Sequence, residues 1–101
     1  MKKYKKSSIR KQLGRFVKVC PIISDRSGEA VRNQYEIIFE NGTAFQSYDT
    51  FIGALIKGKL YLAEEHDCSV TTSKYCTSWC GRNGKERRKG LEEERYFLMV
   101  D

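Results

Sequence analysis

The sequence predicts a single α+β domain in which an antiparallel β-sheet, built from hairpins, is covered by at least one short helix. Two turns indicate the sheet: Asn41-Gly42 divides QYEIIFENGTAFQSYD, and Lys57-Gly58 divides FIGALIKGKLYLAEE. Aromatic residues at helical spacing in TTSKYCTSWCG indicate the helix. Since 101 residues can bury only one core, we expect no second domain.

Residues 1–14 are predicted to form a basic N-terminal arm, and residues 15–101 the α+β domain. Eight Lys and Arg residues precede the first acidic residue, Asp25, so residues 1–24 carry a charge of +8 in a chain whose net charge is +6. Such an arm can bind phosphates, or it can be a solvated tail. Neither a signal peptide's apolar run nor a membrane-spanning run follows, which predicts a cytoplasmic protein with reduced thiols.

The sheet is predicted to begin with a strand over Arg15–Ile23, where alternation and β-branched residues coincide. Pro21 lacks a backbone donor and therefore favours a sheet edge or the end of the strand. In the first hairpin, Asn41-Gly42 is predicted to form a type I′ turn. The second hairpin ends in a strand over Lys59–Glu64.

The helix is predicted to begin with Thr71 or Thr72 as its cap and to end at Gly81 after two to three turns. The basic run RNGKERRKG, from Arg82 to Gly90, is bounded by glycines and predicts an exposed loop, or a helix broken at Gly90. An apolar run over Tyr96–Val100 predicts a final strand.

A structural zinc site is the main chemical prediction. Cys76 and Cys80 are four residues apart on the predicted helix, so one ion can reach both thiols. Cys68 is the third ligand, and either His66 or Cys20 is the fourth. We prefer His66, because it needs only local chain geometry. The alternatives are that the cysteines pack as small apolar groups and that His66 is a surface residue beside a carboxylate.

Catalysis is not predicted. A catalytic zinc keeps one coordination position open, which three cysteines and a histidine would close. The sequence also lacks a nucleophile motif, a paired-carboxylate motif and a glycine-rich cofactor motif. We therefore expect a protein that is not an enzyme.

The stretch NGTAFQSYDTFIGALIKGKLYL, followed by SVTTSKYCTSWCG, resembles a set of small phage and prophage proteins. They share the N-G hairpin, a Q-S-Y-D/N-T stretch, a G-K-x-Y-L strand and a T-T-S-K-Y/H helix start, and the resemblance covers residues 35–81. Cys76 and Cys80 are not features of the wider set. In size and character the chain is also similar to anti-CRISPR proteins that inhibit type II effectors.

The resemblance implies a stoichiometric inhibitor, in the cytoplasm of a bacterial host, that binds Cas9 and blocks DNA loading or cleavage. Because the chain is basic, it would bind an acidic protein surface through Arg and aromatic side chains. The candidate contacts are Arg82, Lys85, Arg87, Arg88, Lys89 and Tyr48. The alternative is a small nucleic-acid-binding phage regulator, whose arm and basic loop contact phosphates while Tyr or Phe rings stack on bases.

Overall fold

The computed structural model describes residues 2–101 and contains one seven-stranded sheet with helices on both faces. The strands are β1 (Lys3–Lys5), β2 (Phe16–Ile23), β3 (Ala30–Phe39), β4 (Gly42–Ser47), β5 (Thr50–Ile56), β6 (Lys59–Ala63) and β7 (Phe97–Val100). The helices are α1 (Lys6–Leu13), α2 (Val70–Cys80) and α3 (Gly84–Glu92), with a short 3₁₀ helix over Glu64–Asp67. The α+β class predicted from the sequence is confirmed.

The strands lie in the order β1-β7-β6-β5-β4-β3-β2. Strands β2 to β6 are consecutive antiparallel neighbours, as the hairpin signals predict. Strand β7 differs, because it is parallel to both β6 and β1. The chain leaves β6, forms α2 and α3 across one face and returns in the same direction, and such a crossover places strands in parallel. The sheet is therefore mostly, not wholly, antiparallel.

The basic N-terminal segment is part of the folded domain and not an arm outside it. Within residues 2–14, β1 pairs with β7 and α1 packs on the sheet. Ile9 and Leu13, four residues apart on one side of α1, are fully buried. This apolar pair anchors the helix, while most of the cations of the segment stay exposed around it. The boundary predicted at residue 15 does not correspond to a boundary in the fold.

The two predicted turns differ in outcome. Lys57 and Gly58 both have positive φ angles, as a tight hairpin turn requires, and that prediction is confirmed. In the first hairpin Phe39 pairs with Gly42, so the turn residues are Glu40 and Asn41 and not Asn41 and Gly42. Neither turn residue has a positive φ angle, so the predicted type I′ turn is wrong. Gly42 is needed for another reason, since a Cβ there would collide with the backbone carbonyl oxygen of Leu55.

The helix caps explain where α2 and α3 begin. Ser69, not Thr71 or Thr72, caps α2, and its hydroxyl accepts the Thr72 N–H at 3.1 Å. Gly81 ends α2 in the left-handed conformation, as predicted. The predicted basic loop is largely helix α3, because Asn83 and Glu86 form a reciprocal capping box.

Glycine 90 does not break α3 but lies within it. A Cβ at this position would collide with the ring of Tyr96, so glycine lets the chain after the helix pack closely against it. The last strand then begins at Phe97, one residue later than predicted.

The sheet has a separate apolar core on each face. On the α1 side, the core is formed by Ile9, Leu13, Ala44, Phe51, Ala54, Ile56, Tyr61, Ala63 and Met99. On the opposite side, the core is formed by Ile22, Phe45, Ile52, Leu60, Leu62, Cys76, Cys80, Leu91 and Leu98. No helix within residues 2–101 is long and apolar enough to cross a membrane.

Candidate functional site

The predicted zinc ligands lie on different elements and differ in burial. Cys76 and Cys80 face the sheet from α2 and are buried, and the Cys76 thiol lies within hydrogen-bonding reach of Cys80. His66 is also buried, on the 3₁₀ helix, whereas Cys68 is exposed and Cys20 lies on β2. Among residues 2–101, no three His, Cys, Asp or Glu side chains converge as a metal ion would require. The zinc site therefore stays a prediction.

A buried arginine joins the elements around this region. Arg87, on α3, is 0% exposed. Its Nε donates to His66 Nδ1 at 2.9 Å, and its Nη1 donates to Thr77 Oγ1 at 2.8 Å and to the Arg82 carbonyl at 2.6 Å. Its Nη2 donates to Ser73 Oγ at 2.7 Å. The guanidinium thus binds the 3₁₀ helix, α2 and the connection before α3 to one another.

His66 is held in its neutral form by this contact. The ring is 3% exposed, and its Nδ1 must carry a lone pair to accept the Arg87 N–H. Burial lowers the pKa of His66, and the charges of Arg87 and Arg88 lower it further, while Asp67 partly opposes them. The alternative interpretation of His66 as a surface residue beside a carboxylate is wrong about exposure, because the ring is buried, although Asp67 Oδ1 does lie 3.8 Å from its Nε2.

The two buried thiols differ in acidity. A hydrogen bond from Cys76 lowers the pKa of Cys80, and the charges of Arg87 and Arg82 act in the same direction. The hydrogen bond and burial raise the pKa of Cys76. The Cys80 thiol also donates to the Arg82 carbonyl oxygen at 3.5 Å, a contact that favours the protonated thiol and opposes the lowering of its pKa.

The candidate contact residues do not all lie on the surface. Arg87 is fully buried, so it cannot contact a partner; the cause is that it lies on the inner side of α3 and not in a loop. Lys85, Arg88 and Lys89 are exposed on α3, and Arg88 is paired with Asp67 at 2.7 Å. The last two candidates are Arg82, half-buried with its guanidinium over the Tyr96 ring, and Tyr48, 58% exposed in the β4–β5 turn.

A larger feature of the surface is an apolar part of the sheet on the α1 side, which we call the open face. It consists of Phe16, Val19, Ile37 and Phe39. Val19 pairs with Ile37, which pairs with Ala44 of the α1-side core, so these side chains point to the same side as α1. Phe16 is 56% exposed and Val19 is 53% exposed.

The open face continues into a groove of about 360 Å³ between α1 and the sheet. The groove is lined by Arg10, Leu13, Ile37, Phe39, Ala44 and Phe51, among others. Arg10 lies at its border, with its guanidinium 4.9 Å from the centre of the Phe51 ring. Contiguous exposed apolar surface with a polar border is typical of binding sites.

Sequence reasoning missed the open face, although a signal for it was present. Pro21 predicts an edge strand, and β2 is indeed the last strand of the sheet. Strand β2 is apolar on both faces, at Phe16, Val17, Val19 and Ile22. An edge strand of this kind cannot bury all of its apolar side chains in its own domain. Phe16, Val17 and Val19 are accordingly more than half exposed.

Comparison with known proteins gives one match. The model of a family of unknown function, DUF8033, matches residues 17–95, which is most of the chain and runs from the second residue of β2 to beyond the end of α3. No curated protein matches the sequence. No solved structure matches it either.

Proposed function

The chain belongs to the family of unknown function DUF8033, and we propose that it is a non-enzymatic protein that acts by binding another protein through its open face. The observation that carries this proposal is the exposure of apolar side chains at the β2 end of the sheet, on the side of α1. Phe16 and Val19 are each more than half exposed, and Ile37 and Phe39 beside them are only partly buried.

The open face can supply a useful part of a binding free energy. Burying an exposed Val or Phe side chain completely is worth about 1.5–3 kcal/mol, so a half-exposed one gains roughly half of that. Binding energy at protein interfaces is concentrated in a few such central apolar groups. The groove beside the open face can take a side chain of the partner and adds to this contact.

The charge around the open face favours an acidic partner. The first acidic residue is Asp25, and eight Lys and Arg residues precede it. Among them, Arg10 borders the groove and Arg15 directly precedes Phe16, and both are exposed. The carboxylate of Glu40, which follows Phe39 and accepts the Arg15 backbone N–H, offsets one of these two charges. Complementary charge raises the rate of association and excludes other basic partners.

Cas9 is the first partner to test, because the resemblance to phage proteins implies an inhibitor of host defence. We expect near-equimolar protein to block DNA cleavage by guide-loaded Cas9. Val19→Asp places a carboxylate in the contact, so this variant should need about tenfold more protein or more for the same inhibition, which corresponds to about 1.4 kcal/mol.

The matched control is Val70→Asp, since Val70 is 87% exposed at the start of α2, on the other side of the sheet. Both variants should fold: Val70→Asp should change stability by no more than about 0.5 kcal/mol. Val19→Asp should lower stability by about 1 kcal/mol, because Asp is disfavoured in strands, and urea unfolding checks that the variant is still folded in the assay. If excess wild-type protein leaves cleavage intact, Cas9 is not the partner. If both variants inhibit like the wild type, the open face is not the contact.

Nucleic-acid binding is the second candidate, and one observation favours it. The rings of Phe16 and Phe39 form an edge-to-face pair with centroids 6.3 Å apart on an exposed sheet that has Arg10 at its border. Bases can stack on such rings. This function predicts affinity for a single-stranded oligonucleotide that falls steeply as salt rises. No binding at low salt would remove it.

The zinc prediction has its own test, because Cys76 and Cys80 offer two adjacent thiols on α2. Elemental analysis of protein purified without metal-affinity resin should give one zinc ion per chain, and the Cys76→Ser variant should lose it. Metal-free protein in which all four cysteines react with a thiol reagent after unfolding would contradict the prediction.

A further inference from the structure

The α1 side of the sheet is only partly covered. Seven strands about 4.8 Å apart make a sheet roughly 29 Å wide, and a helix with its side chains covers about 10 Å of that width. The opposite face carries two helices, whereas the α1 side carries one helix of 8 residues. Helix α1 packs near β5 and β7, so the uncovered width lies toward β3 and β2.

We infer that the uncovered part of the sheet binds an amphipathic, acidic helix of the partner. This helix lies on the open face, beside α1. The inference rests on the proposed function and names the structural element that the open face binds. From β6, which lies between β5 and β7 under α1, the sheet extends about 19 Å to β2. Half the width of α1 covers about 5 Å of this, so about 14 Å remains and fits one helix. Such a helix would present an apolar stripe to Val19 and Ile37.

Pairing of a partner strand with the free edge of β2 is the main structural alternative, and the edge is poorly built for it. The ladder between β2 and β3 is irregular at two places, between Phe16 and Lys18 and between Pro21 and Ile23. Bulges, a lysine and a proline are the features by which edge strands avoid pairing with other strands. The apolar area lies on the face of the strand, where a helix would pack.

The groove fits the apolar side of such a helix, and the cations beside the open face fit its acidic side. The groove between α1 and the sheet is apolar where Leu13, Ala44 and Phe51 line it, and it can take a large apolar side chain of the helix. Arg10 and Arg15 are exposed beside the open face and can pair with Asp or Glu at the borders of the apolar stripe.

A competition between three displayed peptide libraries tests the inference with the full chain as bait. All three use 18-residue peptides with the same apolar content. The first has apolar residues at helical spacing with Asp and Glu on the other positions. The second has the same spacing with Lys and Arg, and the third alternates apolar and acidic residues as a strand does. We expect the acidic helical library to be enriched about tenfold or more over both others.

Synthetic peptides from the enriched pool should gain helical circular dichroism on binding. Their affinity should fall about tenfold or more with Val19→Asp and should not change with Val70→Asp. Enrichment of the alternating or the basic library, if it depends on Val19, would overturn the acidic helix but leave the open face as a binding site. No enrichment that depends on Val19 in any library would overturn both the inference and the proposed function.

Discussion

Replacing Arg87 with alanine is expected to lower the free energy of unfolding by about 3–5 kcal/mol. The side chain is fully buried, and its loss leaves a cavity and removes the donor of one buried acceptor, His66 Nδ1. Three partly buried acceptors also lose this donor: Thr77 Oγ1, Ser73 Oγ and the Arg82 carbonyl oxygen. An unpaired buried acceptor costs about 1–3 kcal/mol, and water that enters the cavity offsets part of the sum. Urea unfolding at neutral pH measures the change.

Arg88→Ala is the matched control, because Arg88 is the next residue of α3 and has an exposed side chain paired with Asp67. An exposed ion pair is worth about 0–1 kcal/mol, so this variant should remain near the wild type. If Arg87→Ala does not fold, Thr77→Val removes one acceptor and should cost about 1–2 kcal/mol. A loss below about 1 kcal/mol for Arg87→Ala would contradict the role given to the guanidinium.

Local signals allowed much of the fold to be predicted. Three predicted features depend on only a few neighbouring residues, and the structure has each at its predicted position: strand β2, the Lys57-Gly58 turn and the end of α2 at Gly81. The parallel position of β7 could not be predicted, because it depends on how α2 and α3 cross the sheet. Contacts between distant segments have no local sequence signal.

The candidate site was harder to predict for the same reason. Arg87 belongs to a basic run that predicts solvent exposure, yet its acceptors come from residues 66–82 and are brought to it only by the tertiary fold. One local signal was available, since Asn83 and Glu86 have the spacing of a capping box and predict a helix there. That helix places Arg87 and Leu91, four residues apart, toward the core.

The helical segment at the N-terminus shows how composition alone misleads. Charge in residues 1–24 predicts a solvated arm, but Ile9 and Leu13 at helical spacing are sufficient to bury one side of α1. The cations around them then become the border of the open face. The same helix thus completes the core through Ile9 and Leu13 and brings Arg10 to the border of the candidate interface.

Lowering the pH from 7.5 to 5.0 is expected to destabilise the protein through His66. Its pKa in the folded protein is lowered from the ordinary value of 6.5, mainly by burial and further by Arg87 and Arg88, against an opposing effect of Asp67. The unfolded chain therefore binds a proton more readily than the folded protein as the pH falls through 6.5. The free energy of unfolding should then fall by up to about 1.4 kcal/mol per pH unit.

The structural cause is the hydrogen bond from Arg87 Nε to His66 Nδ1, because a protonated ring would oppose one N–H donor with another. The pKa of Asp67 is lowered from 3.8, so the stability that its carboxylate contributes is lost only below this range of pH. His66 is the only histidine, so an NMR titration follows it without ambiguity. In His66→Gln the amide oxygen can still accept from Arg87, and the part of the pH dependence that comes from His66 should disappear. Because the pKa of Cys80 is lowered to about 6, this thiol titrates in the same range, and the two proteins are compared in a Cys80→Ala background. A His66 pKa of 6.5 or above in the folded protein would contradict the prediction, because folding would then not disfavour the protonated ring.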